Sequence, residues 1–116
     1  MPDQRFLKCH HLRRPAEFQR VYERRARASD ALILVFGLRN ELGHSRIGLS
    51  VSRKVGGAVV RNRWKRLLRE AFRLTREQLP DDLDMIVIPR RSDPPTLAEL
   101  MESLPRLARK IRRRLD

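Results

Sequence analysis

The chain has 116 residues, and its 27 Lys+Arg against 14 Asp+Glu give a formal net charge of +13. That length suits one domain with a modest core, and a compact body carrying such a surplus repels itself unless polyanions neutralise it. The balance favours nucleic acid over a membrane: the longest apolar run, residues 31–38, has eight members, against the roughly 20 needed to cross a bilayer.

Residues 1–14 are basic through Arg5, Lys8, Arg13 and Arg14, lack the apolar stretch of a secretory signal, and read as a mobile basic tail. The lone Cys9 excludes an internal disulfide and fits a reducing cytoplasm. From Pro15, a favoured first-turn residue, the spacing of Phe18, Val21 and Tyr22 predicts a short helix over 15–25. Ser29-Asp30 signals a turn. Residues 31–38 (ALILVFGL) predict a buried strand, being too short and too β-branched for a buried helix. A loop over 40–44 then leads into 46–52, which alternates as a half-buried strand does. Ile47, Leu49 and Val51 point one way, and Arg46, Gly48, Ser50 and Ser52 the other.

After Gly56-Gly57 comes a helix over 59–78. Val60, Trp64, Leu67, Leu68, Ala71 and Leu74 share one side. Asn62, Lys65, Arg66, Arg69, Arg73 and Arg76 share the other, with Arg61 and Arg63 at the edges. Pro80 and Asp81-Asp82 end it. Residues 85–88 (MIVI) predict a strand stopped by Pro89. Thr96 and Glu99 have capping-box spacing, and the apolar stripe from Leu97 to Leu115 predicts a last helix that Pro105 should kink or divide. The order describes a two-layer α+β domain with helices on one sheet.

The basic side of the helix over 61–76 is the first candidate surface. A charged face can be merely solvated, but like charges one turn apart, such as Arg66 with Arg69 and Arg69 with Arg73, destabilise a free helix. Phosphates lying across it would reverse that cost, and the planar guanidinium is suited to them. Arg53-Lys54 before the two glycines could add phosphate contacts, or could simply turn the chain. Opposite Ile47, the small residues Gly48, Ser50 and Ser52 leave room for a flat base, with Phe18 and Tyr22 as stacking groups or as core. The cluster Arg106, Arg109, Lys110, Arg112, Arg113 and Arg114 reads as a frayed basic end. Catalytic or metal patterns are weak: His10-His11 and His44 lack ligand spacing, Cys9 has no activating arrangement, and Asp81, Asp82 and Asp84 sit in a turn.

Residues 48–70 carry a longer pattern. Gly48-Leu49-Ser50-Val51-Ser52-Arg53-Lys54 runs through Gly56-Gly57 into Arg61-Asn62-Arg63, Lys65-Arg66 and Arg69-Glu70. This resembles the signature of the bacterial ribonuclease P protein subunit, and Glu17-Phe18-Gln19-Arg20-Val21-Tyr22 resembles that family's first helix. The resemblance implies an α-β-β-β-α-β-α two-layer sandwich with a left-handed crossover, like the second domain of ribosomal protein S5. It implies a large catalytic RNA as partner, held by the helix at Arg61, Asn62, Arg63, Lys65, Arg66, Arg69 and Arg73. It also implies a cleft between the first helix and the sheet for the 5′ leader of precursor tRNA. Phe18 and Tyr22 match that cleft's aromatic positions, Arg53 and Lys54 its basic neighbours, and Ser50 and Ser52 lie on the same open face. Chemistry would belong to the RNA, with Mg²⁺ held mainly there; no obligate protein partner and no membrane contact is expected. A glycine expected soon after the first helix is replaced by the run Arg24-Arg25-Ala26-Arg27. Composition alone fits a ribosomal or architectural RNA-binding protein equally well; only the long motif and the leader cleft argue for processing.

Overall fold

The structure, a computed structural model, describes residues 5–115. Its sheet has four strands in the order β1 (Arg27–Ser29), β2 (Ile33–Arg39), β4 (Leu83–Pro89), β3 (Arg46–Leu49). β2 pairs antiparallel with β1 and β4. β3 lies parallel to β4, with Ile47 opposite Met85. A parallel pair needs a crossover, and α2 (Ala58–Thr75) supplies it. The short β1 is the third early strand that only the resemblance implied.

Alternation decides what each face buries. Ile33, Val35, Ile47, Met85 and Val87 face α2 and α3 (Leu97–Arg114), packing with Trp64, Leu68, Phe72, Leu104 and Ile111 in the main core. The opposite face carries Phe36, Leu38, Ile86 and Ile88, covered by α1 (Pro15–Arg24) through Val21, Phe18 and Tyr22. The helices therefore do not all share one side of the sheet: α1 lies across the face that the other two leave open. An ion-pair network fixes it there. Arg46 grips buried Asp84 through Nε and NH2 at 2.8 and 2.6 Å and reaches Glu17 of α1 through NH1 at 2.8 Å. Asn40 Nδ2 donates to the same Asp84 at 2.8 Å.

Several expectations need correction. Residues 1–4 lie outside the described residues, but from Arg5 onward the segment is no tail. Phe6 stacks edge-on against Phe72, His10 is buried at the end of a 3-10 turn at Lys8–His10, and buried Leu12 follows it. Leu12 N–H donates to the Ile47 carbonyl at 2.9 Å, and His11 bridges Ile47 in parallel. The segment thus covers the outer edge of β3, where unpaired backbone groups would otherwise stand open. The expected strand over 46–52 ends at Leu49; Ser50 N–H still reaches the Val87 carbonyl at 3.0 Å, but Ser52 begins a turn closed by Val55 N–H. Pro105 does not divide the last helix, which runs unbroken from Leu97 to Arg114. It opens as its capping box requires: Thr96 Oγ1 accepts from Glu99 N–H at 3.2 Å, and Glu99 Oε1 accepts from Thr96 N–H at 3.0 Å. On α2, the apolar side also includes buried Phe72 and Thr75.

Candidate nucleic-acid interface

The basic side of α2 is built by its apolar side. Trp64, Leu68, Ala71 and Phe72 are fully buried, which turns Asn62, Arg63, Arg66 and Arg69 to solvent and leaves Arg61, Lys65 and Arg73 half-buried. The helix carries no acid in its first turn and no side-chain cap at Gly57, so its N-terminal partial charge adds to the positive field. Arg61 Nε is buried and finds no hydrogen-bond partner among the described residues. The last turn is engaged within the chain: Arg73 holds Glu70 at 2.6 Å, and Arg76 NH1 donates to the Arg5 carbonyl at 2.8 Å and lies 3.2 Å from His10 Nδ1. The outward cations therefore concentrate over 61–69.

Phe18 of α1 stands beside this face, lining one cleft with Lys65 and Arg69. Its ring lies over Gly48, where an added Cβ would come within 2.5 Å of Phe18 Cζ. The small residue does leave room for a flat group, and the group is the chain's own. On one side of Phe18 a concavity of about 320 Å³ is lined by Phe6, His11, Leu12, Arg13, Ile47, Leu49, Lys65 and Arg69. Burial, then the charges of Arg13 and Arg69, hold the His11 imidazole below its ordinary pKa. On the other side a groove of about 670 Å³ follows α1 past Arg13, Pro15, Gln19, Tyr22, Glu23 and Arg25. Tyr22 meets Phe36 edge-on at 5.0 Å and Phe18 at 6.5 Å between ring centroids, an aromatic row with half-buried rings.

Among the expected site residues, Phe18 and Tyr22 thus share one groove, and Phe18 shares the neighbouring cleft with Lys65 and Arg69. Ser50 is half-buried, while Ser52, Arg53 and Lys54 are exposed in the turn after β3 and line neither concavity. Sequence reasoning missed Phe36, Arg13, His11 and Arg25. Treating 31–38 as one continuous apolar run hid Phe36, whose alternation with Val35 was the available signal. The other three depended on the N-terminal segment and on the end of α1.

Among the described residues no group of three or more His, Cys, Asp or Glu side chains could hold a metal. Two of the three carboxylates weighed for Mg²⁺ are held by arginines. Asp84 is gripped by Arg46, and Asp82 accepts from Arg112 Nε at 3.0 Å with Arg39 at 3.7 Å. No helix of the described residues is long and apolar enough to cross a membrane.

The fold and the site define a small cationic α+β protein that presents an arginine-rich crossover helix beside an aromatic groove. Residues 6–112 match the family model described as Ribonuclease P. The ribonuclease P protein component of Desulfovibrio desulfuricans is 42% identical over 109 residues, covering 86% of this chain and 84% of that one. The solved RNase P protein of Staphylococcus aureus is similar at 32% identity and TM-score 0.76, covering 94% of this chain and 100% of that one. That of Thermotoga maritima is similar at 28% identity and TM-score 0.69, covering 91% and 97%. The chain belongs to the ribonuclease P protein family, the protein subunits of a tRNA-processing ribonucleoprotein.

Proposed function

We propose that the α2 face at Arg61, Asn62, Arg63, Lys65, Arg66 and Arg69 holds the phosphate backbone of the catalytic RNA, while the groove along α1 takes the 5′ leader of precursor tRNA. The observation that carries this reading is the position of Phe18, which lines both the aromatic groove and the cleft that Lys65 and Arg69 enter. Two RNA segments held on these surfaces would lie side by side, which is what a subunit that presents a substrate to a catalytic RNA requires. The unpartnered Arg61 Nε supports the first half, because an orphaned buried donor costs roughly 1–3 kcal/mol unless something accepts from it. Tyr22 and Phe36 support the second, since an aromatic row accepts successive unpaired bases with little regard to sequence.

Mg²⁺ brought with the catalytic RNA would activate water for phosphodiester hydrolysis. This chain's own work is electrostatic and positional: its guanidinium groups screen phosphate repulsion, and its groove orients the leader. Arg53 and Lys54, exposed beside the start of α2, extend the cationic surface toward either RNA.

The two halves separate experimentally. If α2 neutralises about six phosphates, log K should fall with log salt at a slope of roughly −4 to −5. Arg66→Ala with Arg69→Ala should then weaken catalytic-RNA binding and flatten the slope by roughly 1.5; an unchanged slope in the folded double variant places that RNA elsewhere. For the leader, one base–aromatic stack is worth about 1–3 kcal/mol, so Tyr22→Ala should weaken leader-bearing precursor about 5- to 150-fold and leave mature tRNA unchanged. Equal losses for both substrates would remove the leader groove from the account.

A further inference from the structure

We propose a second RNA-backbone site at the free edge of β1, built by Arg27, Arg90, Lys110 and Arg114 and distinct from the α2 face. The strand order puts β1 and β3 at opposite edges of the sheet. α2 packs beside β3, whereas α3 packs on β1 and β2. Three strand spacings of about 4.8 Å therefore separate the two edges.

The edge site is a concavity of about 370 Å³ with Ser29 and Leu34 also in its lining. Its four cations come from three places in the chain: β1, the residue after β4, and the last two turns of α3. Basic residues at the end of α3 have an ordinary explanation, because cations there complement the helix dipole. That explanation does not reach Arg27 or Arg90, which converge on the same hollow from the sheet. Nor does it cover Lys110 and Arg114 standing one turn apart, an arrangement that repels.

Among the described residues no carboxylate lines the hollow. Asp30, which follows Ser29 in the chain, is already committed: its Oδ1 accepts from Leu32 and Ile33 N–H at 2.8 and 3.0 Å, and its Oδ2 takes Arg106 NH2 at 2.8 Å. Two of the guanidinium groups are oriented by the backbone. Arg90 NH1 donates to the Asp30 carbonyl at 2.8 Å, and Arg114 NH1 donates to the Arg27 carbonyl. Each keeps further N–H groups for a ligand. Fixed guanidinium forks beside a mobile ammonium suit the paired oxygens of a phosphodiester. An anionic membrane fits less well, since the exposed large hydrophobic side chains among the described residues are Leu7, Leu42 and Val59, none of them at this edge. A chain that, on the reading above, already carries RNA on α2 and along α1 would use the site to bind a further segment of RNA.

The test uses the full chain and a fluorescent ten-nucleotide oligouridylate at low salt. The probe is titrated against the unaltered protein, the Arg66→Ala/Arg69→Ala variant, an Arg90→Gln/Lys110→Glu variant and the fourfold variant. In the α2-depleted background, the edge substitutions should weaken binding about tenfold or more, by the loss of charge-assisted contacts, and should flatten the salt slope by roughly 1.5. Backbone amide resonances of Ser29, Leu34 and Lys110 should shift on titration in that background. Lys110→Glu alone guards against misfolding, because its side chain has no hydrogen-bond or ion-pair partner among the described residues and it should melt as the unaltered chain does. Unchanged affinity and slope in the folded fourfold variant would overturn the site. So would losses confined to phosphatidylserine vesicles or polyglutamate with RNA binding intact. Because the comparison is made with the α2 cations already removed, its failure would leave the α2 reading standing, and the reverse.

Discussion

Gly48 and Phe18 have to be considered together. A Cβ at position 48 would stand 2.5 and 2.8 Å from Phe18 Cζ and Cε1 and 3.1 Å from the Leu12 carbonyl oxygen. The ring or the backbone must therefore move, and Gly48→Ala should cost about 1–3 kcal/mol, as overpacking generally does. Denaturant unfolding would measure that, and selectivity for leader-bearing precursor should drop with Tyr22 still present; an alanine variant as stable as the parent would mean that the ring shifts freely. Sequence reasoning finds a small residue where a flat group could lie, but not that the flat group is the chain's own Phe18, because the contact joins α1 to β3. Arg25 is the second such residue. It caps α1 with φ 61° and ψ 10°, where the family resemblance led one to expect glycine nearby. Left-handed geometry costs a non-glycine residue roughly 1–2 kcal/mol, and glycine's greater unfolded freedom returns roughly 0.5–1 of that. Arg25→Gly should thus raise stability by about 0.5 kcal/mol in a thermal melt. The same exchange removes a cation from the α1 groove, so precursor affinity should fall as stability rises. Loss of both together would contradict this account of the turn.

Elements with strong internal periodicity were legible: α1, α2 and α3 begin within a residue or two of their expected starts, each announced by Pro15, the Gly56-Gly57 pair or the Thr96–Glu99 box. Elements defined by distant partners were not. Residues 5–12 look like a basic tail because Phe6, His10 and Leu12 have no periodic neighbours; their partners are Phe72, Arg76 and Ile47, far along the chain. The attachment of α1 is similarly non-local and carries a pH signature. Burial raises the Glu17 carboxyl's pKa, but the hydrogen bond from Arg46, the Arg14 N–H and the Arg46 charge outweigh it, leaving the pKa below its ordinary value of 4.5. A carboxylate depressed in the folded state contributes stability that is present above its unfolded pKa and lost as pH falls through the folded value. Glu17→Gln should accordingly melt below the parent at pH 7, and the gap should close as pH drops below about 4.5. A gap that stays constant through that range would show that Glu17 acts by shape rather than charge.

At the scale of the whole molecule, composition pointed to a polyanion and the motif over 48–70 to a family, yet neither told which face of the sheet α1 would cover or that a cationic hollow would form at β1. Those depend on strand order, which one sequence does not display. The assembled molecule also bears on who performs the cleavage. Its described residues bring cations and aromatics to the surface and tie their most suggestive carboxylates, Asp82 and Asp84, to arginines. Such a surface can neutralise and orient RNA, and the family assigns it to a ribonucleoprotein. Purified protein alone should therefore leave precursor tRNA intact at any Mg²⁺ concentration, and adding the catalytic RNA should produce the mature 5′ end. The protein's benefit should be greatest at low salt and low Mg²⁺, where phosphate repulsion is least screened. Asp81 is exposed, so Asp81→Asn should leave the reconstituted rate unchanged; Asp82 and Asp84 are poor probes because their loss would break the ion pairs with Arg112 and Arg46. Correct 5′ cleavage by RNA-free protein, or abolition of reconstituted cleavage by Asp81→Asn in a folded, RNA-bound chain, would move the chemistry from the RNA to this protein.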